Sequence, residues 1–399
     1  MGNLQPRIVK LLVFLCVTAT ILFCARTFTH LSVGDLLVPT PSISELHLKV
    51  YDVFGQQEKS ADQEVSREDL KSSDSGESEQ RQHELPDSYN KDQTKQVEIP
   101  RPRPSDNFAF ALFLAAPGGE GKETDNDYDD LYFVATRMLL YQLLHDPSTR
   151  TNNSYPVVIL VTQDVVKRKI ERLRGDGADV RVVQKLYLDW APTRKAWQDV
   201  LTKLHLFDLT EYEKVLFLDS DTLLTRRMDD IFFDPATEVI NNKGDTSEGA
   251  TPLDEPAQPK TYMFAGNAGA GGFNHSEIYP PPKGNNLNAG CMVIRPAKDL
   301  YKYYLDIAKI KDRFNGRYPE QSLWWYVHRR EGNMPWIQLN HDWNINRATW
   351  ADYEHKIASL HAKWWSEDNE PKLRDFAMQI RGKMQGFWEG KEGREIYGA

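Results

Sequence analysis

Apolar and polar positions alternate in a few distinct regimes along the chain. FAFALFLAA, from Phe108, is a continuous apolar run of strand length, and YPVVILVTQ (Tyr155 to Gln163) is another, rich in β-branched residues. LYFVATRMLLYQLL (Leu131 to Leu144) has helical length and periodicity. VVKRKIERLRGDG reads as a helix stopped at Gly175 or Gly177. A short strand near ADVRVV, a helix around AWQDVLTKLHLFDL and the strand KVLFLD follow. Strand and helix alternate, and the longer strands carry no polar face. This pattern predicts an α/β domain with a mainly parallel sheet covered by helices on both faces.

Two segments upstream obey other rules. LLVFLCVTATILFCA, Leu11 to Ala25, carries no charge, with Arg7 and Lys10 before it and Arg26 after it. A bilayer core takes about 20 apolar residues, which Ile8 to Phe28 reaches if the flanking basic groups extend toward the interface. A cleaved signal peptide and a signal anchor both fit. The anchor is preferred, because the run is long for a signal peptide and early-secretory membranes are thin. The basic residues before it keep the N-terminus cytosolic. From about Gln56 to Pro104 large apolar residues nearly vanish, and such a segment cannot offset its chain entropy by burial. The expected organisation is a cytosolic tail (1–10), a membrane anchor (11–28), a stem (29–104) and a lumenal domain (105–399). Sequons at Asn152 and Asn274 agree with a secretory route.

Composition narrows the function. The chain has 58 acidic against 49 basic residues and a formal charge of -9, which argues against a nucleic-acid partner. Its three cysteines are Cys16, Cys24 and Cys291. Only one lies outside the apolar N-terminal segment, so the domain has no internal disulfide and no cysteine-cluster zinc site.

The informative polar interruption is Asp219-Ser220-Asp221, set between KVLFL and TLL. Two carboxylates at a strand end repel each other and resist desolvation, and a hard divalent cation resolves both problems. The same spacing at Asp125, Asp127 and Asp129 lies in a polar loop and predicts nothing. Ligands of open α/β sheets sit beyond the carboxyl ends of strands, and the Asp219–Asp221 pair occupies such an end.

The stretch LTKLHLFDLTEYEKVLFLDSDTLLTRRMDDIF, Leu201 to Phe232, resembles the core of glycosyltransferase family 8, the glycogenin-like transferases. Asn288-Ala289-Gly290, Glu320-Gln321, HDWNIN (His341 to Asn346) and LHAKWW (Leu360 to Trp365) follow in family order. Glu320 stands where the family has Asp, the last motif is shortened, and the span from Asn241 to Gly284 reads as a long insertion. The resemblance implies a GT-A type nucleotide-diphospho-sugar transferase fold and transfer with retention. It implies Mn²⁺ (or Mg²⁺) held by Asp219, Asp221 and His361, and donor contacts from Lys203, Asn288, Gly290 and Lys363. Glu320 and Gln321 would act at the anomeric carbon. Whether Glu320 is a nucleophile or the reaction stays on one face is open. The implied partners are a UDP-sugar donor and a glycan acceptor. The anchor, stem and HDWNINRATW ending look most like the fungal Golgi N-acetylglucosaminyltransferases, or glucose N-acetyltransferases. That implies UDP-N-acetylglucosamine, a mannose-containing acceptor and a Golgi type II membrane protein. A family 8 glucosyl- or galactosyltransferase, or a catalytically silent lectin-like scaffold, are the alternatives. The aromatics from Trp324 through Trp350, with Trp364 and Trp365, are too many to be purely core, and some are expected to stack on a sugar.

Overall fold

The computed structural model describes residues 106–116, 130–191, 197–244, 251–270 and 283–397. The expected tail, anchor and stem, Asn274 and the loop of Asp125 to Asp129 lie outside the described residues. Among the described residues no helix is long and apolar enough to cross a membrane.

Four parallel strands form one half of the main sheet: β1 (Phe108–Leu114), β2 (Val157–Thr162), β3 (Asp179–Val183) and β4 (Lys214–Leu218). Side chains alternate between faces along a strand, and β1 uses this fully. Phe108, Phe110, Leu112 and Leu114 enter one core layer with Ile159, Val161, Leu216 and Leu218. Ala109 and Ala111 enter the other with Val158, Leu160, Val215 and Phe217. Helix α1 (Leu131–Leu144) covers the first layer with Leu139, Leu140 and Leu143, and α2 (Lys167–Gly175) covers it with Ile170 and Leu173. Asp130 caps α1 by accepting from the Phe133 N–H at 3.1 Å.

The helix expected around AWQDVLTKLHLFDL is a 3₁₀ segment over Val200–Asp208. A three-residue turn stacks positions i and i+3. Leu201, Leu204 and Phe207, at that spacing, all enter the second core layer.

The sheet continues past β4 through β9 (Lys283–Ile294) and β8 (Phe264–Ala270) to the short β10 (Ile337–Gln338). β9 is antiparallel to β4 and to β8, whereas β8 and β10 are parallel. The whole order is β10-β8-β9-β4-β1-β2-β3. This mainly parallel mixed sheet, with helices on both faces, is the GT-A type architecture. The span Asn241 to Gly284 is therefore not simply an insertion, because it contains β8. Its sequence, FAGNAGA, has no branched residue to announce a strand. Gly266 serves packing: a Cβ there would fall 2.4 Å from Leu287 Cδ1.

A second sheet pairs β5 (Thr222–Leu224), β12 (Ser359–His361) and β11 (Asn344–Asn346), with β12 in the centre, and β6 (Ile240–Asn241) pairs antiparallel with β7 (Thr261–Tyr262). Helices α3 (Lys298–Ala308) and α4 (Pro319–Val327) pack in the second core layer. After α5 (Trp350–Glu354), the chain ends in the long α6 (Pro371–Tyr397). Leu373, Ala377, Ile380, Met384 and Trp388 form one stripe of α6. They join Val134, Met138 and Tyr141 of α1, Leu223 of β5 and Leu360 of β12 in a third core. Trp324, Trp336, Trp343 and Trp364 are buried in these cores, so the expected excess of non-core aromatics shrinks to half-buried side chains such as Trp325, Trp350 and Trp365.

Candidate active site

The two sheets meet at the Asp pair. Asp219 directly follows β4 and Asp221 directly precedes β5. The antiparallel register sets His361 opposite Thr222, and the Ala362 N–H donates to the Asp221 carbonyl at 3.0 Å. His361, distant in sequence, thereby arrives beside both carboxylates. Its Nε2 lies 3.0 Å from Asp221 Oδ1 and 3.9 Å from Asp219 Oδ2. One ligand atom from each residue lies within 4.8 Å of the others. With metal–ligand distances of about 2.1 Å, adjacent ligands of an octahedral ion are about 3 Å apart and opposite ones about 4.2 Å. The His361 distances of 3.0 and 3.9 Å lie near this range, and two carboxylates with one imidazole suit Mn²⁺ or Mg²⁺. The residues fit the ion.

Charge in the site is balanced by proximity. Lys203 is buried; its Nζ lies 2.8 Å from Asp219 Oδ1 and 3.5 Å from Glu320 Oε1. Burial opposes its charge, but the Asp219 and Glu320 carboxylates outweigh burial and raise its pKa. Burial would raise the Asp221 pKa, yet the adjacent His361 holds it down at about 2. His361 is the mirror case: burial lowers its pKa, and Asp221 more than reverses this.

Lys203 stands on the 3₁₀ segment, whose turn aims it under β4. Glu320 and Gln321 begin α4 after Pro319, a residue suited to a first helical turn. Gln321 Oε1 accepts from the Ala289 N–H at 3.1 Å. The neighbouring Asn288 Oδ1 lies 3.3 Å from His361 Nδ1. Lys363 follows β12, is exposed, and reaches the hydroxyl of Tyr132 as well as the field of Asp221. All nine candidate residues thus belong to one cluster or to its edge.

Tyr132 is the residue that periodicity missed. It is 47% exposed at the start of an otherwise buried helix, and its ring meets Trp365 edge-on at 5.0 Å. An exposed aromatic beside an acidic loop is the available signal, but it does not separate a site residue from a surface one. Cys291, next to Gly290 on β9, is an inert thiol that burial pushes up to about 12.

No protein-family model matches the chain. It is 32% identical over 266 residues to the uncharacterized protein C4C3.09 of Schizosaccharomyces pombe, covering 60% of this chain and 69% of that protein. It is 23% identical over 250 residues to UDP-glucuronate:xylan alpha-glucuronosyltransferase 1 of Arabidopsis thaliana, covering 60% of this chain and 36% of that one. It is 33% identical over 112 residues to glucose N-acetyltransferase 1 of Candida glabrata, covering 26% of this chain and 22% of that one. Among solved structures, the glycosyltransferase GlyE of Streptococcus pneumoniae TIGR4 is similar over 72% of this chain and 64% of its own, at 13% identity and a TM-score of 0.39. That overlap is too loose to bear on the site. The chain belongs to one family with the fission yeast protein C4C3.09, and it shares shorter or weaker similarity with proteins named as sugar-handling transferases.

Proposed function

We propose that the protein is a metal-dependent retaining glycosyltransferase that moves a sugar from a UDP-sugar to a glycan acceptor. The observation that carries this reading is the joining of Asp219, Asp221 and His361 with the Lys203–Glu320 pair at the carboxyl end of β4. Asp219, Asp221 and His361 would hold Mn²⁺ or Mg²⁺. When bound, the ion neutralises the diphosphate that leaves the sugar. Lys363, exposed beside Asp221, adds a positive charge for the same phosphates. Lys203 holds Glu320 in place through their contact. The Glu320 carboxylate then faces the positive charge that develops at the anomeric carbon. Gln321 is held by the Ala289 N–H, so its amide nitrogen remains available to a sugar hydroxyl. Tyr132 and Trp365 offer an aromatic wall at the rim.

N-acetylglucosamine is the first candidate sugar and a mannose-containing glycan the first acceptor, on the resemblance to fungal N-acetylglucosaminyltransferases. Glucuronate is the second candidate. The Arabidopsis relative named for that donor aligns over 60% of this chain, against 26% for the Candida relative. The protein is further proposed to work in the Golgi lumen, anchored through 11–28, with 29–104 as a spacer to the domain at 105–399. The test is hydrolysis and transfer by the full-length protein in detergent, across UDP-N-acetylglucosamine, UDP-glucuronate, UDP-glucose and UDP-galactose, with and without Mn²⁺. Turnover of one donor only with Mn²⁺ is expected. No turnover together with no Mn²⁺-dependent UDP binding rejects the enzyme and leaves a silent scaffold.

A further inference from the structure

We infer that Asn288 is the positioning residue for His361, and that Gly290 is the surface on which the His361 ring rests. The segment Asn288-Ala289-Gly290 is then the seat of the metal ligand. This rests on the metal reading above.

Three observations carry it. Asn288 Oδ1 accepts the Gly290 N–H at 3.1 Å, which identifies the atom facing inward as the oxygen. That oxygen lies 3.3 Å from His361 Nδ1. An amide oxygen can only accept, so Nδ1 carries a proton and Nε2 is the nitrogen turned toward Asp221 and Asp219. A ring that ligates through Nε2 needs this arrangement, because the hydrogen bond at one nitrogen decides which nitrogen offers its lone pair.

Gly290 supplies the second constraint. A Cβ there would fall 2.2 Å from His361 Cε1 and 2.3 Å from Nδ1. The close approach that requires glycine at this position is therefore made by the imidazole. Third, the same short segment holds the opposite side of the cluster. The Gly290 carbonyl accepts the Asp219 N–H at 2.8 Å, and Ala289 donates to Gln321. Three consecutive residues of β9 thus fix His361, Asp219 and Gln321 relative to one another.

The test measures Mn²⁺ binding to full-length protein without nucleotide, from the free-Mn²⁺ electron paramagnetic resonance signal. Asn288→Ala is expected to weaken binding by about 10–100-fold, the usual effect of removing a partner that orients a ligand. Asn288→Asp, which keeps an accepting oxygen, is expected to stay within a few-fold of the natural protein. Gly290→Ala is expected to lose at least as much as Asn288→Ala. Far-ultraviolet circular dichroism establishes that each variant is folded, and the Asn288 pair decides if Gly290→Ala is not. Two results overturn the inference. One is Asn288→Ala binding Mn²⁺ within about twofold of the natural protein while KM for the UDP-sugar rises, which would make Asn288 a sugar contact. The other is an equal loss in the Ala and Asp variants. If the natural protein itself binds no Mn²⁺, the metal reading fails first and takes this inference with it.

Discussion

Lys203 has two acidic neighbours and little water, so its removal is informative in two ways. Lys203→Met leaves Asp219 and Glu320 close together without a countercharge. A lost partner in a buried pair costs about 3–5 kcal/mol, and the quarter exposure of Asp219 reduces this to about 2–4 kcal/mol. A bound divalent ion would restore positive charge beside Asp219. The rise in melting temperature on adding Mn²⁺ should therefore be larger in Lys203→Met than in the natural protein, as scanning calorimetry would show; an equal rise would mean that Asp219 is not a ligand. Asp221→Ala is expected to abolish metal-dependent turnover by at least about 10³-fold while leaving a folded domain, since it removes the ligand closest to His361. At this scale the sequence was informative for charged residues and less so for Asn288 and Gly290. A carboxylate at a strand end declares a cost that something must offset. An asparagine and a glycine declare only permissiveness, and their partner, His361, is visible only once β5 and β12 pair.

Among the elements, strands with both faces buried were the most legible, because the first five positions of β2 (VVILVT) are all aliphatic. β8 was not, since FAGNAGA owes its burial to the tight packing of its neighbours. The 3₁₀ segment misled for a different reason: Leu201, Leu204 and Phe207 suit either helix over so short a span. Helix α6 carries no motif, yet its stripe backs β5, which follows Asp221, and β12, which carries His361. Ile380→Ala is expected to destabilise the domain by about 2–4 kcal/mol, the range for a buried branched residue cut to Ala. Urea unfolding would check it. A change below about 1 kcal/mol would show that α6 is only loosely joined to the domain.

The molecule as a whole also carries a pH liability remote from its site. His328 is buried with its ring stacked on Phe264 at 4.2 Å. Its Nδ1 donates to the Met334 carbonyl at 2.6 Å, and its Nε2 accepts from the Tyr304 hydroxyl. Burial pulls its pKa down to about 3, which the Met334 carbonyl offsets only in part. In the unfolded chain the same ring titrates near 6.5. Its proton is thus bound by the unfolded chain first, so this contribution is intact above about pH 6.5 and is lost as pH falls toward 3. The slope is about 1.4 kcal/mol per pH unit within that window. Urea unfolding between pH 7 and pH 4.5 should show it, and a His328→Gln variant should show a shallower dependence; equal slopes would reject the assignment. The order of the ligands along the chain has a consequence in time. Asp219 and Asp221 leave the ribosome well before His361, and β12 can pair with β5 only after β9 and α4 exist. A growing chain therefore carries an acidic pair with no third arm to close on it. On the proposed metal reading, ion capture must wait until β12 has paired with β5.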